Sequence, residues 1–334
     1  MKFANKGTGI AGGAVTDAKI DYHAKLRGAA AGDIVALSRL ISAVESRRGQ
    51  LDDVMRDVYA AASRARGIGI TGPPGSGKSS LTSGLVRVLR ERGERVAVVA
   101  VDPSSALSGG AILGDRLRMT EHSTDPGVYV RSVSARGALG GLSAATADIV
   151  AVLDAAGWDT VIVETVGVGQ DEMDVMQIAR SVVVVSVPGL GDDVQAMKAG
   201  LLEVADLHVV NKADRPDARR TAAELRGMLR LAGETESGRW LPPVLETIAL
   251  DGTGVGRLAD ELARHQAWLN ETGELCQRML AAAAQRIRSI AQELLLEQLG
   301  DPGADSPFAA LARDVVERKL DPRAAARTLL SDAR

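Results

Sequence analysis

The stretch GIGITGPPGSGKSSLTSGLVRVL, residues 67–89, decides how the rest of the chain is read. GIGIT at 67–71 is an apolar run of strand length, and Leu81, Leu85 and Leu89 recur at the spacing of one helix face. Between them GPPGSGKS at 72–79 fits G-x-x-x-x-G-K-[ST] through Gly72, Gly77, Lys78 and Ser79. Glycine is needed because backbone N–H groups must turn inward around a phosphate, in conformations a β-carbon would obstruct. Lys78 is expected to bridge the β- and γ-phosphates of a nucleotide and Ser79 to offer its hydroxyl to Mg²⁺. The helix N-terminus adds partial positive charge. Pro74, Gly75, Ser76 and Ser80 complete the expected contacts.

Outward from this loop, residues 67 to about 262 alternate short β-branched runs with helical segments. That alternation predicts an α/β fold: a doubly wound, mostly parallel sheet with crossover helices, as in the P-loop nucleoside triphosphatases. The expected strands are 67–71, 95–101, 128–133, 160–165, 181–187, 207–211 and 243–248. Several, such as SVVVVSV at 181–187, are apolar without alternation, as strands buried on both faces require. Ligands of such sheets sit beyond the carboxyl ends of the strands, where the remaining motifs fall.

One of these is Asn211-Lys212-Ala213-Asp214, at the end of the strand near 207–211. In N-K-x-D the carboxylate accepts from the two guanine donors while the lysine stem lies along the base. Adenine would leave buried polar groups unpaired, so the motif selects GTP and GDP. A solvated turn is the plain alternative for these four residues; their position at a strand end, far downstream of the phosphate loop, argues for the base site. Two further strands end in carboxylates. Asp102 closes AVVAVD and Glu164 closes VIVE, with Gly167 three residues later. Asp102 is expected to orient or activate the attacking water, or else simply to cap Ser104 and Ser105; Glu164 is expected to hold a metal-bound water. The Gly167 amide is placed to sense the γ-phosphate. Lys78, Asp102 and Glu164 are thus the catalytic candidates. ETVG departs from the usual D-x-x-G, Val168 stands where many GTPases place a water-orienting glutamine, and Gln170 is offset by two. Hydrolysis is therefore expected to be slow and to respond to a partner.

Composition sets the outer bounds. With 334 residues, 46% apolar and 25% charged, the chain can build one large α/β domain with helical extensions. A formal charge of −3 without a long Lys/Arg block gives no footprint for nucleic acid or an anionic membrane. The N-terminal residues lack a secretion or organelle pattern, no window has bilayer-spanning length, and Cys276 is alone, so a cytoplasmic, reducing home is expected. Residues 1–20 read as a loose leader, 21–64 as helical, 65–268 as the nucleotide domain and 269–334 as a helical extension. Asp33 is a candidate N-cap for a helix through Ile34, Leu37, Leu40, Ile41 and Val44, with a second through Leu51, Val54 and Val58; both are expected to cover the core. In the extension Ile287, Ile290, Leu294 and Leu295 share one helix face, Pro302 and Gly303 break it, and a final helix is expected over about 305–330. Such a pair can pack on its own domain or on a second copy; a dimer is the expectation.

The strings VDPSSALSGGAILGDRLRM at 101–119, ETVGVGQDE at 164–172, VPGLGDDVQAMKAG at 187–200 and NKAD resemble the MeaB and MMAA family (ArgK-type), GTPases associated with adenosylcobalamin-dependent acyl-CoA mutases. The resemblance covers roughly 30–270 and places the chain in the SIMIBI class, with the nickel-insertion and signal-recognition GTPases. It implies a homodimeric GTPase chaperone that gates loading of adenosylcobalamin into a mutase and helps exchange damaged cofactor. It also implies that Ser79, Asp102, Asp115 and Glu164 surround Mg²⁺, while Asp192, Gln195 and Lys198 couple nucleotide state to the mutase. By sequence alone Asp192 and Lys198 read equally as a solvated helix start and face. Where relatives carry Ser-Ala or Ser-Gly in the fifth guanine loop, this chain has Ile248-Ala249-Leu250, so backbone contact is expected there. GPPGSGKSS likewise departs from the common GVPGVGKST; these departures widen the partner to a sister mutase acting on isobutyryl- or 2-hydroxyisobutyryl-CoA. The rival readings are a kinase of a transport component, which NKAD disfavours, a binding scaffold with dead hydrolysis, which the presence of Lys78 and Ser79 disfavours, and nickel-type metal delivery. For the latter His23, His122, His208, His265 and Cys276 lack ligand spacing.

Overall fold

Each β-branched run folds as a strand of one sheet in the computed structural model. It describes residues 21–46, 51–62, 65–103, 121–135, 144–165, 175, 177–189, 205–233, 238–299 and 306–332. The strands are β1 (Arg66–Thr71), β2 (Val96–Pro103), β3 (Val128–Ala135), β4 (Thr160–Glu164), β5 (Ser181–Ser186), β6 (Leu207–Asn211) and β7 (Val244–Thr247). Their order is β3-β2-β4-β1-β5-β6-β7, and every pairing is parallel. β1 lies at the centre, so the phosphate loop leaves the middle of the sheet and the base-reading loop leaves β6, two strands away.

Successive strand residues face opposite layers, which is why these strands carry no polar alternation. Ile68, Ile70, Ile162, Val183 and Val185 pack with Leu81, Leu85 and Leu89 of α4 (Lys78–Glu91) and Leu258 and Leu262 of α7 (Val255–Glu271). On the other face Ala97, Val99 and Val161 meet α1 (Tyr22–Ala30), α2 (Ile34–Ser46), α3 (Asp52–Ala61) and α5 (Ala144–Ala155) around the buried Trp158. Asp33 Oδ1 accepts from the amides of Val35 at 2.9 Å and Ala36 at 3.0 Å, the expected cap of α2. α1 was not legible as a separate helix; Asp21 caps it through the Ala24 amide at 2.9 Å. α6 (Ala218–Gly233) covers β6 and β7.

The extension begins with α8 (Glu274–Leu299), fixed to its own domain by two arginines. Arg278 donates to Asp206 Oδ1 at 2.9 Å, just before β6, and Arg286 donates to Asp148 Oδ1 on α5 at 2.6 Å. The predicted apolar face stays exposed, with Ile287 at 69% and Leu294 at 53%. The single final helix expected over about 305–330 is instead two, α9 (Pro307–Val316) and α10 (Pro322–Asp332). Arg318 adopts a left-handed φ of 60°, and its amide and that of Lys319 turn back to Val315 O and Asp314 O, which closes α9. Asp321 then caps α10 and Pro322 starts it. The expected break at Pro302 and Gly303 lies outside the described residues.

The amino-terminal edge of the sheet carries a buried polar knot. Ser181 Oγ lies 2.8 Å from His265 Nδ1, and His265 Nε2 lies 3.3 Å from Asp206 Oδ1. Asp206 Oδ2 accepts from the Val182 amide at 2.8 Å, and its backbone carbonyl accepts from Trp240 Nε1 at 2.7 Å. The His265 ring stacks on Trp268 with centroids 5.7 Å apart. Burial drives the His265 pKa down to about 3, with the Arg278 charge adding to the effect, and burial raises that of Asp206 against the pull of Arg278.

Candidate active site

The loop at 72–77 takes its shape from three left-handed glycines, Gly72 at φ 139°, Gly75 at 76° and Gly77 at 89°. A β-carbon on Gly72 would overlap Val185 O, and one on Gly77 would overlap the Asn211 amide, so both close approaches exclude any larger residue. Lys78 is buried and its ammonium donates to Gly72 O at 2.7 Å and Pro73 O at 3.0 Å, which keeps the charge inside the loop it serves. Ser76 Oγ is fully buried with no hydrogen-bond partner among the described residues. A phosphate oxygen is the acceptor such a hydroxyl lacks, so the loop's chemistry fits a nucleotide tail. Pro74 and Ser80 belong to the same turn and first helical turn as expected.

Ser79 and Glu164 come together at the carboxyl edge. Ser79 Oγ donates to Glu164 Oε1 at 2.6 Å, both residues being at least nine-tenths buried. β4 brings Glu164 beside Ile70 of β1 on one side and Ala100 of β2 on the other, so a loop hydroxyl and a strand-end carboxylate meet by register alone. The next strand residue pairs hold Thr165 against Thr71, hydroxyl to hydroxyl at 2.9 Å. The backbone of Asp102 lies one residue before the end of β2, two residues beyond Ala100, at the same edge. The hydroxyl of Ser79 and the carboxylate of Glu164 are both oxygen donors, the kind Mg²⁺ takes, with waters and phosphate completing its shell. Gly167, Asp115, Asp192, Gln195 and Lys198 lie outside the described residues.

The base-reading end departs from the expectation in one respect. Asn211 is buried and acts as a brace: its Nδ2 donates to Ser76 O at 2.8 Å while its Oδ1 accepts from the Ala249 amide at 3.1 Å and Thr247 Oγ1 at 3.2 Å. It thereby ties the phosphate loop to the loop after β7. Lys212, left-handed at φ 58°, lays its stem back so that Nζ reaches Gly75 O at 2.8 Å, and Asp214 is exposed beside it. The Ile248 amide is turned inward to Thr253 O and the Ala249 amide to Asn211, so the backbone contacts expected of these two residues are already internal. Leu250, 90% exposed, is what this stretch presents outward. Neither the brace nor Thr247 was legible in the sequence, since the contacts join residues 36 to 135 positions apart.

A parallel sheet with a glycine phosphate loop leaving its central strand and N-K-x-D leaving a neighbouring one defines a P-loop GTPase. The family model described as "Methylmalonyl Co-A mutase-associated GTPase MeaB" matches residues 37–302, and the chain belongs to that family. A Pyrococcus horikoshii protein carrying a GTPase designation is 44% identical over 300 residues, covering 90% of this chain and 94% of its own. The Escherichia coli GTPase ArgK is 33% identical over 306 residues, covering 89% and 92%. The Mus musculus methylmalonic aciduria type A homolog, mitochondrial, is 35% identical over 267 residues, covering 79% of this chain and 64% of its own. A solved structure described as an LAO/AO transport system kinase superposes with a TM-score of 0.69 at 26% identity, covering 95% and 98%. No described helix is long and apolar enough to cross a membrane.

Proposed function

We propose that this GTPase is a slow, partner-stimulated switch that serves an adenosylcobalamin-dependent acyl-CoA mutase, gating cofactor loading and protecting the enzyme. The observation that carries the reading is the joint placement of the Ser79–Glu164 pair and the Asn211 brace at one sheet edge, within a chain of a mutase-associated family. The phosphate loop and Lys78 bind and neutralise the triphosphate, Asp214 and Lys212 select guanine, and Leu250 covers the base. Ser79, Asp102, Asp115 and Glu164 would hold Mg²⁺, which would supply charge neutralisation at the γ-phosphate. Asp102 orients the attacking water, and GTP and water give GDP, phosphate and a proton. Val168 in the place of a glutamine accounts for a slow basal rate. Asp192, Gln195 and Lys198 carry the signal to the mutase.

The nucleotide unit spans 65–268 between the helices of 21–64 and the extension of 269–334, whose exposed α8 face supports a homodimer. Leu280, one heptad before Ile287 and 66% exposed, extends that face. Ile287→Asp with Leu294→Asp then gives a monomer by light scattering. The function is tested by adding methylmalonyl-CoA mutase, or an isobutyryl- or 2-hydroxyisobutyryl-CoA mutase, to the purified chain with GTP and Mg²⁺. One of them raises the hydrolysis rate and co-elutes; if none binds or changes the rate, the chaperone role is lost and the GTPase remains.

A further inference from the structure

A groove of about 690 Å³ runs beside the edge strand β7, between α6 and α7, on residues that the nucleotide site does not use. Four guanidinium groups line it: Arg226 and Arg230 from α6, Arg257 and Arg264 from α7. In a chain of formal charge −3, such a concentration of like charge opposes itself. Only half of it is answered by the described residues. Arg226 pairs with Glu246 at 3.1 Å, and Arg264 pairs with Glu261 at 2.9 Å and lies 5.2 Å over the Trp240 ring. Arg230 and Arg257 make no ion pair or hydrogen bond with any described residue.

The floor between these cations is apolar, with Leu241 61% exposed and Pro242 beside it. Backbone pairing to the edge is obstructed, because Arg226 donates to Val244 O at 3.1 Å and prolines precede the strand. A ligand here is therefore read by side chains: carboxylates by the guanidinium forks and an apolar group by Leu241. We propose that this groove docks an acidic segment of a partner protein whose carboxylates flank an apolar side chain. The site is independent of the nucleotide end and of the mutase reading.

The test is fluorescence anisotropy on the full chain with a fluorescein-labelled peptide Glu-Leu-Glu-Glu-Leu-Glu at low ionic strength. The peptide binds saturably, a Lys/Leu counterpart does not, and Arg230→Glu with Arg257→Glu weakens binding roughly tenfold while GTP hydrolysis is unchanged. The milder Arg230→Gln with Arg257→Gln moves it the same way, and Leu241→Ser weakens it severalfold. Equal binding to the parent and both arginine variants would overturn the proposal. So would a Glu/Ser peptide binding as well as the Glu/Leu one, or full displacement by millimolar inorganic phosphate, since either outcome makes the groove a simple anion site.

Discussion

The two ends of the sheet both bury polar groups, but they do so to opposite purposes. At the carboxyl edge Lys78, Ser76, Ser79 and Glu164 are held where a ligand can address them, and Ser76 Oγ lacks an internal partner. At the amino edge Ser181 pairs with His265 and Asp206 pairs with Arg278, which locks α8 to the domain, while His265 Nε2 lies 3.3 Å from Asp206 Oδ1 without a hydrogen bond. Burial of polar atoms thus does not by itself mark a site. What marks it is the meeting, by strand register, of a hydroxyl and a carboxylate beside the ammonium of a left-handed glycine loop.

The comparison predicts where damage will be read. Lys78→Ala should lower kcat/KM for GTP by about 10²–10³-fold with little loss of melting temperature, because it removes charge opposite the phosphates. Gly77→Ala comes next. Its β-carbon meets the Asn211 amide in a left-handed backbone, so nucleotide affinity and thermal stability fall together. That double loss, seen by nucleotide titration and calorimetry, would confirm that Asn211 couples loop and base site; an unchanged affinity would break the coupling.

The amino edge should behave in reverse. Arg278→Ala leaves the buried Asp206 carboxylate without its cation, and should cost about 3 kcal/mol of stability while KM for GTP stays put. A rise in KM would mean that the two ends are not separable. The smallest effect is on pH. His265 is held down to about 3 and His208 to about 4, both by burial. Between those values and the ordinary 6.5, the unfolded chain binds protons that the folded one does not, so stability is present at neutral pH and falls on acidification. Each imidazole should account for about 2 kcal/mol between pH 7 and pH 5. The raised Asp206 acts in the opposite sense just above its ordinary range. Replacing His265 with Gln should flatten the dependence of melting temperature on pH; an unaltered slope would place the titration elsewhere.

Much of this was legible because local chemistry and global position agree. The seven strands announce themselves as β-branched runs, and all fall within two residues of their expected bounds. The phosphate loop is legible because Gly72 and Gly77 must adopt conformations that few other residues tolerate. What could not be read are contacts between distant residues. Nothing in NKAD says that its asparagine grips Ser76 O, and nothing in the scattered Ser181, Asp206 and His265 says that they meet. The division of the last helix escaped for a different reason. Its left-handed closing residue is Arg318, where a glycine would have given the signal.

The two arginines that fasten α8 are eight residues apart, roughly 12 Å along the axis at the α-helical rise. One rivet sits under β5 and β6, and the other sits on α5, across the central strand. A helix joined at both points is a strut: a torque applied along its outer apolar side is delivered to both halves of the sheet at once, instead of being absorbed by a hinge.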